Sequence, residues 1–150
     1  MPSRPVWHRT QALVRRDHAP RYAENVDSYV VEPQSLFVPY LSDVLAGAEL
    51  RVVRVAPTLD VEDIRASHPE ALFVDTDYLD VDPADAVTAM REAVPSAFIC
   101  AYTDGAGPRA DRLRFAGANC VLSKRSGPGE IAEALRTAQT RGSFTDPRCA

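Results

Sequence analysis

The chain has 150 residues, 45% of them hydrophobic and 25% charged, which suits one globular domain of ordinary size with a real core. No apolar run approaches the ~20 residues that span a bilayer, and the N-terminus lacks the apolar segment of a secretion signal, so no membrane partner is expected. The net charge of −4 is uneven: Arg4, Arg9, Arg15, Arg16 and Arg21 against Asp17 put about +4 on residues 1–22, leaving about −8 on the rest. An acidic body argues against nucleic-acid binding by the domain itself.

Residues 1–26 form a basic N-terminal arm without strong periodicity, in which Trp7, Leu13 and Val14 can anchor a short helix. Ser28–Glu32 reads as a first strand ending in an acid. Over Gln34–Ala46, Leu36, Phe37, Tyr40, Leu41, Val44 and Leu45 recur at helical spacing and predict one apolar face. Pro39 belongs in the first turn of that helix, and Gly47 stops it. Leu50–Ala56 is a second strand, with Val52, Val53 and Val55. Asp60 caps a short helix over Val61–Ser67.

Ala71-Leu72-Phe73-Val74 then runs without a polar break into Asp75, Thr76 and Asp77, as a strand buried on both faces does. Asp82 caps the next helix with Pro83 at its first position, and Ala86, Val87, Met90 and Val94 mark the buried stripe. Ala97–Tyr102 is a fourth apolar run, ending in Thr103-Asp104. Pro108–Ala116 is a short helix with Leu113 and Phe115 inward. Cys120–Ser123 is a fifth strand ending in Lys124, and a last helix over about 129–139 buries Ile131, Leu135 and Ala138. Of the three cysteines, Cys100 and Cys120 fall in strands, which points to buried free thiols and a reducing cytoplasm rather than a disulfide frame or zinc site.

Strand and helix alternate five times, which predicts an α/β fold with a five-stranded parallel sheet and helices on both faces. Glu32, Asp75, Thr103 and Lys124 end strands one, three, four and five. In a parallel sheet these ends share one rim, where α/β proteins place their ligand chemistry. Two acids, a hydroxyl and an ammonium suit a phosphoryl group with a divalent cation, the aspartate as nucleophile.

With VVEP at 30–33, PEALFVD at 69–75, ICAYTD at 99–104 and AGANCVLSK at 116–124, the chain resembles the response-regulator receiver family over about 27–141. The likeness implies the flavodoxin/CheY-like strand order 2-1-3-4-5. It places Asp75 at the phosphoacceptor position, Thr103 at the switch hydroxyl and Lys124 at the phosphoryl-contacting lysine. Glu32 falls at the first of two acidic metal positions, with Asp75 and Asp77 beside it.

The departures are as informative. The second metal position is Pro33, which offers no side-chain ligand atom, so any Mg2+ is held weakly and no cofactor is assigned. Asp104, where a small residue is usual, and Asp77 would repel an incoming phosphoryl group. Val121 stands where an aromatic switch is usual, and Arg125 replaces the proline after the lysine. The pattern favours an atypical receiver, a non-enzymatic signalling and dimerisation module independent of ordinary aspartyl phosphorylation. The alternative is a receiver that accepts phosphate on Asp75 and switches with magnesium.

The segment ALRTAQTRGSFTDPRCA at 134–150 resembles the join before the DNA-reading domain in NarL/FixJ-type transcription regulators, with 142–150 as linker or tail. It implies transcription control through an attached or partner DNA-binding domain absent from this chain, a histidine kinase as a candidate partner, and a homodimer through the late helices and strand five. LFVDTDYL also resembles the DxDx motif of haloacid-dehalogenase-type phosphatases. Glu130 and Glu133, however, lie in a helix and do not supply that family's late acidic pair. A glycine-rich phosphate cradle is ruled out because no glycine lies between Asp27 and Ala46. His8, His18 and His68 lie away from the rim, which leaves no hydrolase triad.

Overall fold

Short apolar runs separated by capped amphipathic segments bury both faces only by lining up side by side beneath helices. The computed structural model describes residues 25–150 and shows that arrangement. The strands are β1 (Val26–Val31), β2 (Leu50–Ala56), β3 (Ala71–Asp75), β4 (Phe98–Thr103), β5 (Cys120–Ser123) and β6 (Phe144–Thr145). The helices are α1 (Val38–Gly47), α2 (Val61–Ser67), α3 (Pro83–Ala93), α4 (Pro108–Ala116) and α5 (Pro128–Arg141). All neighbouring strands pair in parallel, in the order β2-β1-β3-β4-β5-β6.

The period-2 alternation of strand side chains divides the core into two layers. Val30, Phe73, Cys100 and Leu122 face α1 and α5, packing on Leu41, Leu45, Ile131 and Leu135. Tyr29, Leu72, Val74, Ile99, Ala101 and Val121 face α2, α3 and α4, packing on Ile64, Val87, Met90 and Leu113. Local signals fix the helix starts. The Asp60 side chain accepts from the Asp63 N–H, and that of Asp82 from the Ala84 and Asp85 N–H groups. Pro39 and Pro83 sit in first turns, where a missing N–H costs nothing.

The expected five strands become six. Gly142 takes the left-handed conformation that ends α5, and the chain turns back so that Phe144 N–H donates to Asn119 O (3.0 Å) and Asp146 N–H to Val121 O (2.9 Å). Asp146 is buried and accepts from the Ser123 N–H (3.2 Å), the Arg148 N–H (2.9 Å) and the Ser126 hydroxyl. Residues read as linker or tail thus cover the outer edge of β5, which removes strand five from any free surface. Cys149 in this segment is buried, and all three thiols are free.

Two further expectations change. Phe115 is 92% exposed, not inward, because it lies two residues past buried Leu113, or roughly 200° around the helix. Residues Ser35–Phe37 form a 3-10 turn before α1 begins, which shifts the helical phase. Leu36 therefore stands 83% exposed and Phe37 and Tyr40 stay half open, while Leu41, Val44 and Leu45 carry the buried face. Val53 and Val55 are exposed on edge strand β2. The basic arm, with Trp7, Leu13 and Val14, falls outside the described residues. Among those residues no helix is long and apolar enough to cross a membrane.

Candidate functional site

Because all the strands run the same way, their carboxyl ends meet on one rim. Glu32 follows β1, Asp75 ends β3, Thr103 ends β4 and Lys124 follows β5. Glu32 and Asp75 are 2% and 1% exposed, so the floor of the site lies inside the fold. Lys124 Nζ reaches Asp75 Oδ1 at 2.7 Å and Asp77 Oδ2 at 3.0 Å. Burial pulls the lysine pKa down, but hydrogen bonds to Asp75 and Asp77 outweigh it, so the ammonium is held above its ordinary value.

Asp77 is the residue whose role the sequence does not reveal. Its Oδ1 accepts from the Thr103 hydroxyl at 3.0 Å, and its Oδ2 from the Asp104 N–H at 2.9 Å and from Lys124. A hydroxyl, a backbone amide and an ammonium thus converge on one carboxylate of the chain. Thr103 Oγ1 in turn accepts from the Gly105 N–H at 2.8 Å. A Cβ at Gly105 would meet that oxygen at 3.1 Å, so a side chain there would require the Thr103 hydroxyl to shift by a few tenths of an ångström. The repulsion expected from Asp77 is answered by these donors. Asp104 contributes its backbone, while its own carboxylate is exposed.

Glu32 is in the opposite situation. Burial, then the hydrogen bond and charge of Asp75, push its carboxyl up to about 7, against the pull of the Gln34 N–H and Lys124. Its Oε2 accepts a long 3.4 Å bond from Gln34 N–H. Glu32 therefore keeps its proton up to near neutrality.

A tightly held magnesium fits this donor set poorly. Pro33 supplies no ligand atom, both Asp77 oxygens are engaged, and an ammonium sits 2.7 Å from Asp75. Among the described residues no group of three or more His, Cys, Asp or Glu side chains is placed to hold a metal ion. Val121 is fully buried within the sheet, and Arg125 turns away from the rim to donate to Arg148 O at 2.7 Å.

Outside the floor lies an open cavity of about 530 Å³. Phe37, Tyr40, Tyr78 and Tyr102 wall it, and Glu32, Asp75, Asp104 and Lys124 supply its charged groups. The Lys124 ammonium lies 4.8 Å from the Tyr78 ring centre and 5.6 Å from that of Tyr102. Phe37 comes from the 3-10 turn, Tyr40 from α1, Tyr78 from the loop after β3 and Tyr102 from β4. The sequence shows Phe37, Tyr40 and Tyr102 only as apolar positions and does not single out Tyr78, because convergence across separate segments leaves no spacing signal.

No family model and no curated protein matches the sequence. Solved structures do. The isolated receiver domain of RcsB from Salmonella enterica serovar Typhimurium, in the presence of the phosphomimetic BeF3−, superposes with a TM-score of 0.71 at 16% identity over 83% of this chain and 96% of that one. The signal receiver domain of the response regulator NarL from Mycobacterium tuberculosis gives 0.66 at 25% identity over 77% and 97%. The beryllofluoride-activated NtrC4 receiver domain dimer gives 0.67 at 19% over 78% and 98%. The fold is that of a CheY-like receiver domain.

Proposed function

We propose that this chain is the receiver module of a response regulator whose output does not depend on ordinary aspartyl phosphorylation. One observation carries the reading. The Asp77 carboxylate occupies the Thr103 hydroxyl, the Asp104 N–H and the Lys124 ammonium, the donors that a phosphoryl group on Asp75 would need. A phosphoryl group carries about −1.5 to −2 charges and three acceptor oxygens. Here it would have to displace a tethered carboxylate and face Glu32 and Asp104, with Lys124 as the cation lining the pocket.

The test is intact-mass measurement after incubation with acetyl phosphate and magnesium. The native chain is expected to stay unmodified. A stoichiometric adduct that disappears in Asp75→Asn would overturn the reading in favour of a phosphate-accepting receiver, the alternative that the placement of Asp75, Thr103 and Lys124 supports. The module is not proposed to be an enzyme, and turnover of a generic phosphoester would contradict that.

Signalling then passes through surfaces. Exposed Phe115 on α4 offers an apolar contact for a second copy, and the beryllofluoride-activated NtrC4 receiver domain is a dimer. A dimer would set two DNA-binding domains, attached or on a partner, on paired half-sites.

A further inference from the structure

The cavity beyond Glu32 is built from groups that the receiver reading leaves without a task. Phe37, Tyr40 and Tyr78 stand 45%, 39% and 55% exposed around a concavity instead of closing into the core. Apolar surface in that form is what a bound body covers. Ring faces carry negative potential, and so do the acids beside them. Lys124 is committed to Asp75 and Asp77. Glu32 receives only the long bond from Gln34 N–H while facing Asp75, and the Asp104 carboxylate has no ion-pair partner among the described residues. The cavity is therefore aromatic in its walls and negative in its uncompensated charge.

We propose that this cavity binds a small organic cation with a flat apolar body, a protonated amine or amidine. Its charge lies against Glu32 and Asp104, and its ring system among Phe37, Tyr40 and Tyr78. The ring faces attract the cation, the Asp104 carboxylate accepts its N–H groups, and the cation's charge favours the ionised form of Glu32, which then accepts as well. An anion of the same shape meets Glu32, Asp75 and Asp104, and a neutral one gains only the rings. The inference deepens the proposed function, since such a ligand would supply the input that phosphate supplies elsewhere, but the binding itself does not require that reading.

The test titrates the full chain, by calorimetry and two-dimensional NMR, with three probes of one shape: tryptamine, neutral tryptophol and anionic indole-3-acetate. Tryptamine is expected to bind saturably below about 1 mM and about tenfold or more tighter than tryptophol, with no binding of the acid. Amide shifts should centre on Phe37, Tyr40, Tyr78 and Asp104. Tyr78→Ala and, separately, Phe37→Ala should each weaken tryptamine roughly fivefold, while Phe115→Ala on α4 changes nothing. Both wall residues are largely exposed, so the folded spectrum should persist. Equal affinity for the three probes, preference for the acid, indifference to both wall variants, or no saturation at millimolar tryptamine would each overturn the proposal. The acetyl phosphate adduct is a separate readout. An adduct with tryptamine still bound removes only the phosphorylation-independent reading, and no adduct with no binding removes only the ligand.

Discussion

Replacing Glu32 by glutamine should make the protein more stable at neutral and alkaline pH while leaving it unchanged in acid. Glu32 is 2% exposed and its carboxyl is pushed from 4.5 up to about 7, by burial first and the neighbouring Asp75 second. Between those values the folded chain keeps a proton that the unfolded chain releases, so stability falls as pH rises. The contribution of the neutral carboxyl is fully present below the unfolded value and is lost as pH climbs through about 7. At 1.36 kcal/mol per unit the whole span is about 3 kcal/mol at most. Glutamine keeps the shape and cannot ionise, so Glu32→Gln should gain most of that at pH 8 and nothing near pH 4. In a domain of this size the gain is roughly 10 °C in Tm. Thermal and urea unfolding followed by circular dichroism at several pH values would measure it. A difference that stays constant with pH, or a variant less stable at pH 8, would refute the raised Glu32 value.

Three more outcomes follow from the same geometry. Asp77→Ala frees the Thr103 hydroxyl, the Asp104 N–H and Lys124, so acetyl phosphate should now label the chain, and Asp75→Asn in that background should abolish the label in the mass spectrum. Asp146→Ala leaves the buried Ser123 N–H and Ser126 hydroxyl without their acceptor and should cost about 2–4 kcal/mol, with hydrogen exchange accelerating in β5; an unchanged urea midpoint would show that β6 adds nothing. Phe115→Glu should change stability by less than about 0.5 kcal/mol yet abolish self-association in sedimentation velocity, since its ring is exposed in the single chain.

What the sequence discloses depends on how local its cause is. Runs such as Leu72-Phe73-Val74 and Ile99-Cys100-Ala101, short and bounded by turn signals, read as strands buried on both faces, and parallel strands bring Glu32, Asp75, Thr103 and Lys124 onto one rim. Pro83 behind Asp82 marks a helix start through a single N–H. The sixth strand has two residues, too few for any period, and exists because Asp146 satisfies the backbone of β5. The stripe fails at Leu36 and Phe37 because a 3-10 turn has 3.0 residues per turn, and three residues of it rotate everything before Val38 off the buried face, while Tyr40 sits at the edge of the α1 stripe, about 100° from Leu41. Asp77 is legible as a charge but not as a partner: its sign predicts repulsion, and only the loop after β4 shows that the donors turn towards it.

That carboxylate is the point on which the two receiver readings divide. It is two residues from Asp75 and held beside it by the Asp77 N–H donating to Asp75 Oδ1 at 3.1 Å, so it already occupies its donors before any phosphoryl group could form. An external phosphoryl group would bring more charge and one more oxygen, but into a pocket where Pro33 withholds a metal ligand and Lys124 is already shared. Without a cation to neutralise it, the added charge is set against Glu32 and Asp104 rather than stabilised. On the reading proposed above the tethered carboxylate keeps its donors on electrostatic grounds, and the ligand proposed for this rim is one that Glu32 and Asp104 attract.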